Sequence, residues 1–235
     1  MSRYTTEDLV WRRPFCIALL LLALPLLYLA GGQLLAGIAS VQGEMFLQDW
    51  EQKRTAPSER AWQVAFEAAN RSNSLLPIDN GEYLDRLGRV NEWQGVFKPF
   101  GDVESIESRR DALTAYRQAA QLRPLWPHTW AQLAYIKLRL LEFDKEFDQA
   151  LLQADRLGPW RMSVQAQLAE IGMIAWPQLD QQQRRSVWMS LQKTLMYDAA
   201  RTRPLVQLAR DAGLYRQMCL TLDERLLAER KLCTR

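Results

Sequence analysis

Histidine is almost absent from this chain, which has a single one among 235 residues. One histidine, His128, excludes a metal site built on two histidines and a histidine proton relay. The sequence also lacks the G-x-S-x-G motif of serine hydrolases and the glycine-rich loop that binds phosphates. Because His128 stands at a predicted helix start, we expect it to have an ordinary exposed or capping role. The sequence predicts no cofactor and no metal.

Acidic residues offer one candidate for acid–base chemistry. Glu142, Asp144, Glu146 and Asp148 fall within seven positions. They stand at a predicted helix start, where negative side chains complement the helix dipole. We therefore interpret them as a solvated helix face, and we predict no catalytic residues and no enzymatic activity.

Charge of one sign is not concentrated anywhere. The chain has 30 Lys and Arg against 27 Asp and Glu, a net charge of +3, and the two signs are interspersed along the predicted helices. Nucleic-acid-binding proteins present a basic stripe or patch instead. We therefore expect no nucleic-acid partner.

Only three cysteines are present, and one of them, Cys16, lies in an apolar run. Cys219 and Cys233 would suit a disulfide in an oxidising compartment. A capping box at Thr221–Glu224 predicts a helix to about Leu232, however, and a straight helix would hold the two cysteines too far apart. Both outcomes stay open, and a disulfide requires the chain to turn back near one of them.

The longest stretch without Asp, Glu, Lys or Arg runs from Pro14 to Gly43. An apolar helix of about 20 residues crosses a bilayer core, and residues 15–35 supply that length. Arginines precede the run and acidic residues follow it, which favours a cytoplasmic N-terminus and an exported body. A signal peptide cut before Ser40 is the alternative.

These features predict a single-pass protein of the inner membrane. We expect a cytoplasmic tail at 1–13, a transmembrane helix at 14–42, a linker or helix extension at 43–57 and a periplasmic helical domain at 58–235. Small residues at Gly32, Ala36 and Ser40 share one face of the transmembrane helix. That spacing suits a close helix partner, although Gly and Ala are common in such helices.

The exported body is predicted to be all-α, because no segment shows sustained two-residue alternation rich in Val, Ile and Thr. Apolar periodicity and turn residues predict helices in successive segments. These cover about 58–71, 80–94, 105–122, 128–141, 144–157, 161–175, 180–200, 205–215 and 222–232. The longest break in the pattern is 95–104.

The helices repeat at the period of a tetratricopeptide array. Second-helix positions A-x3-[FY]-x2-A-x4-P occur at Ala112, Tyr116, Ala119 and Pro124, and return 35 residues later as Phe147, Leu151, Ala154 and Pro159. Trp130, Leu133 and Ala134 form the W-x2-L-[GA] signature of a first helix between them. We therefore predict a tetratricopeptide-like stack of antiparallel helix pairs, with an irregular helical bundle as the alternative.

Tryptophan is unusually frequent, with nine residues. Trp62, Trp130 and Trp188 fall within helical periodicity and are predicted to be core. Trp126 and Trp160 follow the prolines that end successive repeats, so we expect them along one edge of the stack. With Arg123 and Arg161 they are candidate contacts for a protein partner or a glycan. The alternative is that the two tryptophans plug the groove between repeats.

The order of these parts resembles the VpsP-type accessory proteins of exopolysaccharide biosynthesis. The resemblance rests on a short tail, one apolar span, and three segments: NGEYLDRLGRVNEWQ (80–94), ALTAYRQAAQLRPLWPHTWAQLA (112–134) and LLQADRLGPWRM (151–162). It implies membership of an envelope complex that makes or exports a biofilm polysaccharide, with other subunits of that complex as partners. It implies no catalytic residues.

The sequence thus leads to three hypotheses of function. The first is a non-enzymatic scaffold, anchored in the membrane, that binds a partner segment or glycan on its repeat surface during exopolysaccharide synthesis or export. The second is a scaffold for another envelope assembly, such as secretion or cell division. The third is a polysaccharide-modifying enzyme that uses the acidic residues.

Overall fold

The computed structural model describes the backbone of residues 6–233 and the side chains of residues 16–233. Within that range the chain is all-α and has no strand. The predicted tail at 1–13 lies partly outside the described residues, and residues 6–13 already belong to the first helix. The helices are α1 (Thr6–Lys53), α2 (Glu59–Ser74), α3 (Gly81–Gln94), α4 (Ile106–Leu122), α5 (Pro127–Arg139), α6 (Lys145–Leu157), α7 (Met162–Ile174), α8 (Gln181–Tyr197), α9 (Ala199–Asp211), α10 (Tyr215–Thr221) and α11 (Glu224–Glu229).

The first helix combines an apolar segment with a part that packs into the body. It is 48 residues long, about 72 Å at 1.5 Å per residue, and is long and apolar enough to cross a membrane, with a mean hydropathy of 2.0 over its best window. Side chains from Cys16 to Leu35 are mostly exposed, whereas Ala36 and Leu47 are fully buried. Of the two possibilities expected for 43–57, a linker or a helix extension, the segment is a helix extension as far as Lys53.

The small residues of α1 lie against the body. A Cβ built at Gly32 would lie 3.1 Å from the carbonyl oxygen of Leu75, and Ala36 and Ser40 are buried. This face thus accommodates the α2–α3 segment of the same chain. We call the contact of residues 36–53 with α2 and α3 the α1 joint; its apolar core comprises Leu47, Trp50, Ala65, Ala69 and Val90.

Polar side chains cap the first two helices of the body. Ser58 caps α2 by accepting from the backbone N–H of Ala61, and Asn80 caps α3 by accepting from that of Glu82. Each side chain satisfies a donor that the first helical turn leaves unpaired. The two helices therefore begin where the sequence predicts.

Consecutive helices pack as antiparallel pairs, α3 with α4, α5 with α6 and α7 with α8. Gly88 of α3 permits one such approach, because a Cβ there would lie 2.6 Å from the Tyr116 ring. One apolar cluster, here called the repeat core, runs from Ala112 of α4 to Leu227 of α11. Residues 36–53 of α1 pair with α2 in the same way, so the end of the first helix supplies a partner that the sequence pattern did not predict.

Two buried arginines hold the long break between α3 and α4. The Arg109 guanidinium donates to the Pro99 carbonyl at 2.8 Å, and the Arg139 guanidinium donates to the Gly95 carbonyl at 2.6 Å. Gly101 has a φ of +72° and its N–H donates to the Arg139 carbonyl, which completes the turn. The segment without helical periodicity is therefore ordered by interior cations.

The C-terminal helices differ from the sequence prediction. The helix predicted to reach residue 200 ends at Tyr197, and α9 begins at Ala199 because the Asp198 side chain accepts from the Arg201 N–H. The capping box expected at Thr221 is wrong, since the helix cap is Asp223. α11 ends at Glu229.

A disulfide joins Cys219 to Cys233, with Cα atoms 5.8 Å apart. The chain turns back through Lys231 and Cys233, both at positive φ. The straight helix expected to reach Leu232 does not form, and this reversal brings the two sulfurs together.

Candidate functional site

The first helices of successive pairs line a concave groove of about 850 Å³. Within the described residues, none of the second helices α2, α4, α6 and α8 contributes to its lining, and we call the side that they form the outer face. The groove extends from the end of α1 to the start of α9. Its lining residues include Glu82, Asp85, Arg86, Arg89, Glu92 and Trp93 of α3, His128, Gln132 and Tyr135 of α5, Ser163, Gln167 and Glu170 of α7, and Arg201 of α9.

The repeat period places equivalent side chains side by side across the groove floor. Ser163, Gln167 and Glu170 each follow a residue of α5 at a spacing of 35, and the Gln167 amide donates to the Gln132 amide oxygen at 2.7 Å. Both amides keep further donor and acceptor capacity. The floor thus presents repeating hydrogen-bonding groups, which suits an extended ligand.

Three of the four predicted contact residues come together at the groove rim. The guanidinium carbons of Arg123 and Arg161 lie 4.5 Å and 4.7 Å from the Trp126 ring centroid. Such stacking is a favourable cation–π arrangement. Trp126 and Arg123 line the groove, so this stack gives the rim a positive charge.

The fourth predicted residue, Trp160, points elsewhere. Its side chain is 78% exposed and it is not among the residues that line the groove. The alternative in which Trp160 plugs the groove between repeats is therefore wrong. Of the predicted core tryptophans, Trp188 is buried, whereas Trp62 and Trp130 are half-buried with their indole N–H groups donating to the carbonyls of Val90 and Pro124.

Ion pairs to α1 build the wall of the groove nearest that helix. Glu44 accepts from Arg86 at 2.8 Å and from Arg89 at 3.0 Å, and Arg89 also donates to Glu51 at 2.7 Å. Arg86 additionally contacts the Ser40 hydroxyl. Burial works to lower the pKa of Arg89, but the two carboxylates raise it above its ordinary value. Arg89 therefore stays charged in the α1 joint.

One buried carboxyl group, Glu92, and two half-buried ones, Asp85 and Glu170, line the same groove. Burial raises the pKa of Asp85, Glu92 and Glu170 above their ordinary values. Thr129 donates to Asp85 at 2.7 Å and Tyr116 donates to Glu92 at 3.0 Å. These two carboxyl groups thus join α3 to neighbouring helices.

The single histidine also lies in the groove. His128 is half-buried, and its ring centroid is 5.7 Å from that of Trp126. Burial and the adjacent arginines Arg161 and Arg123 lower its pKa below the ordinary value, which keeps the imidazole neutral at pH 7. The expectation of an ordinary exposed or capping position is therefore corrected to a place on the groove wall.

Acidic residues around the start of α6 surround a buried cation. The Lys137 ammonium, fully buried, lies 2.8 Å from Glu146, 2.9 Å from Asp144 and 3.3 Å from Glu142. Asp144 also caps α6. The interpretation as a simple solvated helix face is therefore incomplete, because these carboxylates hold the α5–α6 turn together.

The residues of the groove floor were not singled out from the sequence. A usable signal exists: the W-x2-L-[GA] positions mark the buried face of each first helix, so His128, Gln132 and Tyr135 fall on the opposite, concave face. Within the described residues, no group of three or more His, Cys, Asp or Glu side chains is arranged to hold a metal ion.

The arrangement offers a polar groove with charges of both signs and an aromatic rim, built on a rigid repeat scaffold. Comparison with protein-family models and with curated proteins gave no match.

Proposed function

We propose that this chain is a non-enzymatic scaffold of the inner membrane whose groove captures an extended segment of a partner protein. In keeping with the sequence resemblance, the partner is a subunit of a complex that makes or exports an exopolysaccharide. The observation that carries the proposal is the repeated polar floor of the groove, where Gln132 and Gln167 occupy equivalent positions of successive helices. An extended peptide offers backbone donors and acceptors that amide side chains can pair with.

The charge distribution supports a protein segment. Arg123 and Arg161 approach the Trp126 ring, so the guanidinium groups occupy space that a stacked sugar would need. Cations at this rim and carboxyl groups along the floor would pair with a segment that carries both signs of charge. A polysaccharide strand is the second candidate, because Gln132, Ser163 and Gln167 suit sugar hydroxyls as well.

The proposed location rests on three features. The apolar part of α1 is long enough to cross a membrane, and arginines precede it in the sequence. The Cys219–Cys233 disulfide supports an oxidising compartment for the body. Together they favour a cytoplasmic N-terminus and a periplasmic repeat domain.

The test is site-specific photocrosslinking in the native cell. A photoreactive amino acid replaces Gln167 in the groove or, as the control, Leu152 on the outer face of α6, which is 59% exposed. We expect Gln167, and not Leu152, to crosslink a subunit of the polysaccharide machinery. Equal crosslinking from both positions would show that the groove is not the binding site.

The identity of the captured molecule separates the hypotheses. Secretion or division proteins would support the second kind of scaffold, and a carbohydrate adduct would support the glycan. Trp126→Ala is expected to reduce capture because it removes the ring that positions Arg123 and Arg161. If this variant captures the partner and produces polymer as the original chain does, the groove rim has no role in partner binding.

A further inference from the structure

Three loops of the body lie along the side where the apolar part of α1 emerges. Because consecutive helices are antiparallel, the connections α2–α3 (residues 75–80), α4–α5 (123–126) and α6–α7 (158–161) all occur at the same end of the helix pairs. We call this side the α1 edge. The connections at 54–58, 95–105 and 140–144 form the opposite edge.

The first of these loops touches the apolar helix itself. Leu75 and Leu76 pack against Gly32, and a shallow cleft there is shared by Leu29, Ala30 and Gln33 of α1, residues 76–81, Leu122 and Arg123. Gly32 lies three residues before Leu35, about 4.5 Å along the helix axis from the end of the segment 15–35, whose length suffices to cross a bilayer core. The loop therefore reaches the depth at which a bilayer core gives way to headgroups.

Each loop of the α1 edge presents a large apolar side chain to solvent. Ile78 is 76% exposed, Leu125 is 78% exposed and Trp160 is 78% exposed. Such exposure is costly in water but favourable at a membrane interface, where tryptophan is enriched. The three loops are contiguous, because Arg123 shares the cleft with residues 76–81 and Arg161 stacks on Trp126.

Cations accompany two of these apolar tips. Arg123 precedes Leu125 by two positions and Arg161 directly follows Trp160, whereas Ile78 is followed by the acidic Asp79. Long basic side chains place their stems along apolar surface and their charge among headgroups. The α1 edge thus combines the apolar and cationic groups that an anionic lipid surface attracts.

We infer that the repeat domain rests on the membrane through its α1 edge, with Ile78, Leu125 and Trp160 inserted at the lipid interface and Arg123 and Arg161 at lipid phosphates. The groove then opens next to the bilayer, so its ligand is held close to the membrane surface. This inference rests on the membrane-spanning role of α1 that the proposed function also requires.

The test is spin-label depth measurement on the full chain in vesicles of phosphatidylcholine and phosphatidylglycerol. In a Cys16→Ser background that keeps the disulfide, single cysteines replace Ile78, Leu125, Trp160 or Val103. Val103 lies on the opposite edge and is a matched control because it is 79% exposed. A label at Leu22 in the apolar segment provides the reference for lipid.

We expect labels on the α1 edge to collide several-fold less often with a water-soluble nickel reagent than the label at Val103, with the strongest protection at Ile78 nearest α1. Arg123→Gln with Arg161→Gln, and vesicles of phosphatidylcholine alone, should each weaken the protection at Trp160. Equal accessibility at all four positions would overturn the inference, as would protection that appears only when a partner protein is added. If the label at Leu22 is also accessible to water, the proposal that α1 anchors the chain in the membrane is wrong as well. If the label at Leu22 is exposed to lipid, only the inference about the α1 edge is wrong.

Discussion

The α1 joint and the repeat core hold their helices together in different ways. The joint has a small apolar core around Leu47 and Trp50, supplemented by ion pairs from Glu44 and Glu51 to arginines of α3. The repeat core is one apolar cluster that extends across α4 to α11. Apolar burial is additive along a stack of repeats, whereas a single helix end has less surface to bury.

This difference explains where charge is used. A helix that continues out of the body cannot be enclosed by neighbours on all sides, so the joint gains specificity from paired charges that fix its rotation against α3. In the stack, neighbouring repeats cover each helix, so apolar contacts join the helices, and buried cations such as Lys137 and Arg139 serve the turns between them. We therefore expect the stack to be sensitive to lost volume and the joint to be sensitive to lost charge.

The largest effect is expected from truncating the repeat core. Phe147 of α6 is 1% exposed and forms part of this core, so Phe147→Ala should lower the free energy of unfolding by about 3–5 kcal/mol. Urea unfolding of the full chain in detergent, followed by far-UV circular dichroism, measures the change. Leu152→Ala, which alters an exposed residue of the same helix, should have little effect. A comparable loss in both variants would show that the apolar cluster does not dominate the stack.

A smaller effect is expected at the open end of the stack. Cys219→Ser with Cys233→Ser removes a crosslink that closes a loop with a sequence separation of 14, which should cost about 3 kcal/mol. The same urea titration without reductant checks this value, and Cys16→Ser is the control because Cys16 is free. An unchanged transition would indicate that the last helices are held by the repeat core alone.

The sequence predicts the stack better than the joint for a physical reason. The packing of helix pairs produces a recognisable sequence pattern, because positions such as Ala134 and Ala154 must be small and recur at the repeat period. Capping residues such as Ser58 and Asn80 mark helix starts equally well. The joint depends instead on Glu44 meeting Arg89, a contact between residues 45 positions apart that no local period encodes.

The groove illustrates the same limit. The sequence predicts Arg123 and Trp126 as contact residues because they adjoin the prolines that end repeats. The W-x2-L-[GA] pattern places Tyr135 on the face opposite the core, and the 35-residue period places Glu170 beside it. That this face lines a groove depends on the packing of the first helices, which no local pattern encodes. The disulfide depended on a reversal at Lys231 that the helical pattern did not predict. Features fixed by tertiary contacts are therefore the ones that the sequence does not predict.

A moderate effect is expected from separating the charges of the joint. In a double-mutant cycle of Glu44→Gln and Arg89→Gln, we expect a coupling energy of about 1–2 kcal/mol, because the two side chains are 23% and 21% exposed and directly paired. Urea unfolding at low and high salt measures this coupling, which should fall as salt screens the pair. The exposed pair Lys53–Asp49 provides the control and should show a smaller coupling. Equal couplings would remove the distinction between the joint and a solvent-exposed helix surface.

The smallest effect is expected from Glu170, a half-buried carboxyl group on the groove side of the stack. Burial raises the pKa of Glu170 above its ordinary value of 4.5 in the folded chain, although Arg201 and Arg139 oppose the shift. The folded chain therefore takes up this proton at a higher pH than the unfolded chain, so the contribution of Glu170 to stability is present below pH 4.5 and is lost as pH rises through the raised pKa.

Glu170→Gln should accordingly raise the urea midpoint slightly at pH 7 and flatten its dependence on pH above 4.5. The matched control is Glu67→Gln, which changes an exposed carboxylate of α2 and should leave that slope as it is in the original chain. A lower midpoint for Glu170→Gln at pH 7 would mean that the ionised carboxylate stabilises the groove wall. Charge would then support the stack as it supports the joint, and the contrast between the two regions would be confined to their apolar cores.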